Sequence, residues 1–595
     1  MADVTTGPQL DGVGRHADEQ GPKGSKRLLQ TLVYVAPLVV LTIGAWQFRT
    51  IVDDGWIYLR IVQNTVAGNG PVFNAGERVE TYTGPLWVAL LSLLGWLRPT
   101  ALPWISVVTG IASTVLGLAL ATAGSVRLCR RIADQAFLLP FGSLVFVSVA
   151  AVWTFASTGL ETGITFLWLG TSMLIVASWA RDGHLAAWAA IVLGLGPLVR
   201  PDLAVVTGVL LITVVAGSWS VQGLRGAVRI VMWAAALPLA YQLFRMVYFG
   251  QVIATTAIAK EGTLLRPGWG WLYLRNFVDS YWLVIPAIVV VTMIAVLAAR
   301  LRGSRWKLAA LALPIGGILH GLFVVLVGGD YMHARLLLPG FFAVLAPVTV
   351  LPVVRSFAVG LLVVPWALVS AATLRITPGL TLPVVGIVGD QKVTVQDAGA
   401  RDGLPEWWQG DGLYARFGII GVPVKIDAPL SSAYPPTTVV SIAMGLQSYA
   451  QPLDFYTYDP FGLANPLAAH QELTRRALPG HEKLLGNPWM AAQLTPPGTS
   501  LAPFDAPPFL REPSLFPELT PPTTGRELAA QTEFARLALT CGALSDLVNG
   551  PREPLTISRM AKNLLGAPAR TRLRVPPDPE QAYQTFCLNE AGARR

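Results

Sequence analysis

Charge is the scarcest thing in this 595-residue chain: only 13% of its residues are Asp, Glu, Lys or Arg, against about 25% in ordinary soluble proteins. That shortage excludes a cytosolic enzyme, and it excludes a disordered chain, which is kept unfolded by high charge and little apolar content. Three cysteines are too few for a disulfide-dense secreted scaffold. The cysteines and six histidines nowhere fall at zinc-ligand spacing, and there is no Walker-type glycine loop. The Gly-rich stretches lack the strand-then-helix setting of a dinucleotide site, and no lone Ser or Cys nucleophile is suggested. What is abundant is apolar: 53% of residues are hydrophobic and the mean hydropathy is +0.52. The chain reads as a polytopic α-helical membrane protein.

The formal charge of +9 is unevenly placed. Residues 375–595 hold 19 basic and 20 acidic groups and 27 of the 45 prolines, whereas the first 374 residues hold 25 basic and 15 acidic groups. The positive excess therefore belongs to the apolar part, as the positive-inside rule gives when Arg and Lys crowd cytoplasmic loops. A nucleic-acid partner would want a basic soluble region, and the soluble region is near neutral, so that role is dropped.

Residues 1–27 read as a disordered cytoplasmic tail, and 28–50 as a retained first helix with no signal-peptide cleavage site after it. Further apolar runs lie near 103–125, 136–154, 164–180, 185–199, 203–217, 230–248, 280–299, 308–327, 336–352 and 357–374. The run 84–97 is only 14 residues and opens with Gly84-Pro85, so it is taken as re-entrant or interfacial. Were it to span, Arg127, Arg130, Arg131, Arg300, Arg302, Arg305 and Lys307 would all fall on the side opposite Lys26 and Arg27. About eleven spans follow, with residues 28–374 as the transmembrane domain, 51–102 as its first external loop, and 375–595 as an extracytoplasmic mixed α/β cap. Cys541 and Cys587, in the external domain, are expected to pair; Cys129 falls in a cytoplasmic loop.

Polar residues crowd the outer face. The first loop reads Asp53-Asp54-Gly55-Trp56, then Glu77-Arg78-Val79-Glu80-Thr81-Tyr82-Thr83-Gly84-Pro85-Leu86-Trp87. Two adjacent carboxylates at a membrane boundary are costly unless solvated, paired or used. On a helix they point about 100° apart, so one can cap the helix starting near Trp56 while the other faces a cavity. Lys260, Arg200, and the segment Gly328-Gly329-Asp330-Tyr331-Met332-His333-Ala334-Arg335 lie on the same side. Lys260, Arg335, His333 and Arg200 could converge on a phosphate, although cations at helix ends commonly snorkel to headgroups instead. A divalent ion could sit on Asp53, Asp54 and Asp330; no metal is assigned. Trp407, Trp408, Tyr449, Tyr456 and Tyr458 of the cap either line a glycan groove or fill its core.

These residues carry a resemblance. The Asp-Asp pair, the long first loop, the many spans and the external C-terminal domain resemble the GT-C glycosyltransferases. The first-loop motif, Gly328–Met332 and Asp459-Pro460-Phe461-Gly462-Leu463-Ala464 resemble, within them, the mycobacterial terminal β-(1→2)-arabinofuranosyltransferases. The resemblance implies a GT-C-like fold in the plasma membrane with its active site on the periplasmic side. It implies decaprenyl-phospho-arabinose as donor, and as acceptor the non-reducing end of arabinan in arabinogalactan and lipoarabinomannan. The family's acid position maps onto Asp53 and Asp54, with Asp54 favoured for chemistry. Lys260, Arg335, His333 and Arg200 are then candidates for the donor phosphate. Glu77, Tyr82, Trp56, Trp87, Glu161, Asp330 and Tyr331 are candidates for sugar or acceptor contacts. A mannosyltransferase using polyprenyl-phospho-mannose, a polyprenyl-lipid transporter and a non-catalytic envelope scaffold stand as alternatives.

Overall fold

The computed structural model describes residues 21–262, 265–376, 424–441, 444–474, 482–505 and 523–589. Its first helix, α1 (Gly21–Gln47), takes in the basic residues that the sequence assigns to the end of the tail. It is followed by α2 (Asp53–Val66), α3 (Pro85–Leu97) and α4 (Leu102–Ile132). A two-residue strand β1 (Leu138–Leu139) precedes the short helices α5 (Phe141–Val147) and α6 (Ala150–Phe155). Then come α7 (Thr162–Asp182), α8 (Ala187–Gly194), α9 (Gly196–Val199) and α10 (Ala204–Tyr248). The apolar part closes with α11 (Thr255–Ala259), α12 (Pro267–Ser280), α13 (Val284–Arg300), α14 (Ser304–Val327), α15 (Leu338–Leu345), strand β2 (Leu351–Pro352) and α16 (Val363–Ile376).

Among the described residues five helices are long and apolar enough to cross a membrane, or six if α12 and α13, bent by 92°, count as one span. Eleven apolar runs become five or six such helices for physical reasons. Run 136–154 is broken at Ser148-Val149 between α5 and α6, and run 185–199 is broken at Leu195 between α8 and α9. Runs 203–217 and 230–248 join in α10, which is interrupted at Gly223 (φ 55°, ψ −158°), a left-handed backbone that glycine adopts freely. The limbs on either side of Gly223 run in opposite directions: Gly196 abuts Thr207, Gly194 abuts Ala234, and Trp179 Nε1 donates to Ser218 Oγ near the break. The 13-residue α3 is about 20 Å long, short of a bilayer's roughly 30 Å apolar core.

The tightest helix pair is α4 with α7. A Cβ at Gly170 would stand 2.0 Å from the Gly117 carbonyl, and one at Gly163 would stand 2.4 Å from that of Gly110. Small residues let the backbones meet, which is how helices associate where lipid removes the hydrophobic drive. Basic residues collect at one end of this bundle. Arg131 lies over Trp306 at 5.9 Å, Arg305 crowds Gly183, and Gln30 hydrogen-bonds the Leu138 backbone. The other ends of α7 and α14 carry Glu161 and the segment 328–335. Cys129, expected in a loop, lies instead in the last turns of α4 and is buried.

The C-terminal part has its own core, built around Tyr458, Leu467, Leu485, Trp489, Met490 and Leu528. Its sheet is small: β3 (Val424–Lys425) pairs antiparallel with β4 (Val439–Val440), and β4 pairs parallel with β5 (Thr457–Tyr458). The other regular elements among the described residues of this part are helices of four to sixteen residues, and a disulfide joins Cys541 to Cys587, their Cα atoms 5.3 Å apart. This cap sits on the first loop. The buried Arg60 donates to the carbonyls of Gln451, Pro452 and Phe455, and Asn74 exchanges two hydrogen bonds with the Thr457 backbone. Residues 377–423, which include Trp407 and Trp408, lie outside the described residues. Tyr456 and Tyr458 are buried, and Tyr449 packs on Trp56 with ring centroids 4.8 Å apart.

Candidate active site

Helix α2 starts at the end of the bundle opposite the basic clusters, and its first two residues point different ways. Val52 stands at its N-cap without a side-chain bond, so neither carboxylate is spent on α2 itself in the manner the sequence suggests. Asp53 caps a different helix: its Oδ1 accepts from Leu446 N and its Oδ2 from Gly445 N, both at 3.1 Å, at the start of the cap helix Met444–Tyr449. Burial pushes the Asp53 carboxyl up to about 6, against the pull of those two N–H donors. Asp54 faces the cations. Its Oδ2 accepts from Arg335 Nη1 at 3.0 Å, and Lys260 Nζ stands 3.8 Å from the same oxygen.

Arg335 is the hub. Its Nη1 also reaches Asp330 Oδ2 at 3.4 Å, and its Nη2 reaches Glu161 Oε1 at 3.8 Å. Burial alone would lower its pKa, but Asp330, Glu161 and Asp54 outweigh that and hold the guanidinium well above its ordinary value. The segment carrying it is pinned from α12: Tyr273 OH donates to Met332 O at 2.8 Å and accepts from Leu336 N at 3.1 Å. Glu161, at the N-cap of α7, also lies 3.5 Å from Arg200 Nη1. Arg200 clasps Asp202 with two 3.0 Å bonds, and Asp202 meets His320 Nε2 at 2.7 Å. A chain of polar contacts thus runs from His320 inside α14, through Asp202, Arg200, Glu161 and Arg335, to Asp54 and Lys260.

The structure therefore brings together Asp54, Lys260, Arg335, Glu161, Asp330 and, one pair further back, Arg200. Lys260 and Arg335 are ion-paired here, in place of the snorkelling that cations at helix ends usually adopt. Tyr331 is half-buried beside Arg335. Other candidates are directed elsewhere. His333 points among Asn276, Phe277 and Tyr281, with Nδ1 2.6 Å from Asn276 Oδ1 and Nε2 3.2 Å from Tyr281 OH, and burial pushes it down to about 4. It is uncharged at neutral pH and supplies no charge to a phosphate. Glu77 turns into the cap, accepting from Tyr456 OH at 2.8 Å and Arg552 Nε at 3.1 Å. Trp87 is fully buried and donates to Gly159 O at 2.8 Å, while Trp56 is packed beneath Tyr449. Tyr82 belongs to a separate network in which Tyr241 OH and Arg245 both bond Glu80.

A divalent ion does not fit the Asp53, Asp54 and Asp330 set. Both oxygens of Asp53 face backbone N–H groups, and the other two carboxylates meet across Arg335, whose charge would repel a metal. Among the described residues no group of three His, Cys, Asp or Glu side chains could hold one. Several residues that shape the site were not among the sequence candidates for it: Asp202, His320, Tyr273 and Gly445. The last is testable, since a Cβ at Gly445 would lie 2.0 Å from Asp53 O. Gly445→Ala should push the cap helix off Asp53 and lower any activity of the site about tenfold, on the scale of a 1 Å misplacement or less. An unchanged rate would separate cap docking from the site.

Residues 424–504 match the AftB family C-terminal domain. The chain is 30% identical to the terminal β-(1→2)-arabinofuranosyltransferase of Mycobacterium tuberculosis, over 91% of this chain and 95% of that protein. It is 29% identical to the terminal β-(1→2)-arabinofuranosyltransferase of Corynebacterium glutamicum, over 92% of this chain and 87% of that protein. No solved structure matches it.

Proposed function

The chain belongs to the terminal β-(1→2)-arabinofuranosyltransferase family, and we propose that its reaction is carried out at Asp54, between Lys260 and Arg335. It is a membrane glycosyltransferase that moves an arabinofuranosyl group in cell-wall biosynthesis. The donor in this reading is decaprenyl-phospho-arabinose, and the acceptor is the non-reducing end of arabinan in arabinogalactan and lipoarabinomannan. The protein crosses the plasma membrane about eleven times, with the site and the cap on the periplasmic side. The gathering of Arg131, Arg305 and their neighbours at the far end of the bundle supports that orientation through the positive-inside rule.

The observation that carries the reading is a carboxylate with two cations on one oxygen, at the mouth of an apolar bundle. A polyprenyl phosphate is a good leaving group, so what the anomeric C–O cleavage needs is charge stabilisation on the departing phosphate. Lys260, about one-third exposed, and Arg335, held rigid by Asp330 and Glu161, are placed to give it. Asp54 then serves as the carboxylate that takes the acceptor hydroxyl proton, or that attacks the anomeric carbon if configuration is retained in two steps. Of the second carboxylates open to a retaining route, Asp330 shares Arg335 Nη1 with Asp54 and Glu161 contacts the same guanidinium, whereas Glu77 is committed to the cap.

Purified protein in detergent, given radiolabelled decaprenyl-phospho-arabinose and an oligo-arabinoside, is expected to label the oligosaccharide through a terminal β-(1→2) linkage. The phospho-mannose donor should give none. Mannose transfer without arabinose transfer would replace the donor, and transfer of neither by folded protein would return weight to a transporter or scaffold.

A further inference from the structure

Three of the described non-glycine residues have positive φ: Glu261 at 44°, Trp282 at 50° and Ala334 at 64°. Such backbone persists only where its surroundings hold it, and it collects at functional sites. Trp282 stands at the corner between α12 and α13. The other two adjoin the two cations on Asp54, Lys260 preceding Glu261 and Arg335 following Ala334.

What holds Glu261 comes from the cap. Its carboxylate is buried, with Oε1 2.5 Å from Lys483 Nζ and Oε2 3.4 Å from Arg574 Nη2. Lys483 is itself buried and gives its other protons to Ile258 O at 3.2 Å and Ala469 O at 2.7 Å, which uses all three donors of an ammonium. Ile258 lies on α11, the short helix that Lys260 follows as its C-cap, so one cap ammonium grips the chain on both sides of that lysine. The clamp is reinforced next door, where Arg266 and Glu482 pair at 2.9 Å.

We propose that Lys483, acting through Glu261, is a positioning residue that fixes Lys260 where it meets the phosphate of the polyprenyl donor, so that donor binding requires a docked cap. The inference rests on the reading of the Asp54 site given above. It differs from a general stabilising role in one respect: the clamp acts through Lys260 alone.

The test is binding of decaprenyl phosphate by the full-length protein in detergent, with thermal midpoints measured alongside. Glu261→Gly removes the carboxylate while glycine accepts the left-handed backbone, so the local turn should hold, and the thermal midpoint should fall because the buried Lys483 loses its ion-pair partner. Affinity should fall about tenfold, the worth of one well-placed charged contact to phosphate. On a Lys260→Met background the same change should cost nothing further. Affinity unchanged in Glu261→Gly, or an equal loss on both backgrounds, would overturn the proposal. Should Glu261→Gly fail to fold, Arg574→Met removes the half-exposed arm of the clamp. It should weaken binding about two- to threefold, again only when Lys260 is present; no weakening would overturn the proposal. Wild-type protein whose binding of decaprenyl phosphate depends on Glu261 and Lys260 in this way, but which transfers no arabinofuranose, would sink the assigned reaction and keep the clamp.

Discussion

Asp54→Asn is expected to lower arabinofuranosyl transfer by about 10³-fold, within the 10²–10⁴ that a positioned acid or base contributes, while leaving affinity for decaprenyl phosphate equal or slightly higher. The asymmetry comes from what surrounds it. Asparagine keeps the shape and one acceptor oxygen for Arg335, and Arg335 keeps Asp330 and Glu161, so no buried charge is stranded. On the proposed reading, the negative charge that is lost competes with the donor phosphate for Lys260 and Arg335. Initial rates with labelled donor and binding of the unsugared lipid phosphate separate the two effects. An Asp54→Asn protein that still transfers at more than a tenth of the wild-type rate removes this carboxylate from the chemistry. Asp53→Asn should behave differently: it can offer one oxygen to Gly445 N or Leu446 N but not both, so its cost falls on cap docking.

Arg335→Lys is the second large effect, and it joins stability to rate. The guanidinium reaches three carboxylates with two nitrogens, Asp54 and Asp330 through Nη1 and Glu161 through Nη2. A lysine ammonium is a single point on a flexible stem and cannot reproduce that fork. At least one carboxylate loses its partner in a buried setting, which costs about 3–5 kcal/mol where an ion pair is broken from one side. Transfer should fall at least about 10²-fold, as when a preorganised charge donor is removed. The thermal midpoint in detergent should fall with it. Adding Asp330→Asn to Arg335→Lys should restore much of the stability and none of the rate. Recovery of both would mean that Arg335 holds the fold and takes no part in stabilising the leaving phosphate.

The sequence carries the site unevenly, and the reason is distance along the chain. The Asp53-Asp54 pair could be read because adjacent helix positions point about 100° apart, and the two do part, one to the cap and one to the cations. Lys260 and Arg335 could be read as neighbours only through the side of the membrane they share. What they face could not: Gly445 is 392 residues from Asp53, and Arg335 is 281 residues from Asp54. His333 shows the same limit from the other side, since its polarity suggested a ligand for phosphate while Asn276 and Tyr281 take both ring nitrogens. Glu77, Tyr82 and Trp87 sit in the most recognisable motif of the chain, yet they hold the first loop to the cap, to α10 and to Gly159. The apolar runs located most helices, and the gap between runs 203–217 and 230–248 brackets the break at Gly223. The breaks inside runs 136–154 and 185–199 were not legible, because they depend on backbone geometry that hydropathy does not register.

The first loop is also built early and completed late. Arg60 and Glu77 leave the ribosome with the first spans, but the groups that satisfy them, Gln451 O and Arg552, arrive 391 and 475 residues later. At about 5–20 residues per second, that gap is on the order of 20–100 s of synthesis. Until residues 444–449 are made Asp53 has no helix to cap, and until Lys483 is made Lys260 has no clamp. On the proposed reading, a chain that stalls before the cap is finished is expected to be an idle enzyme.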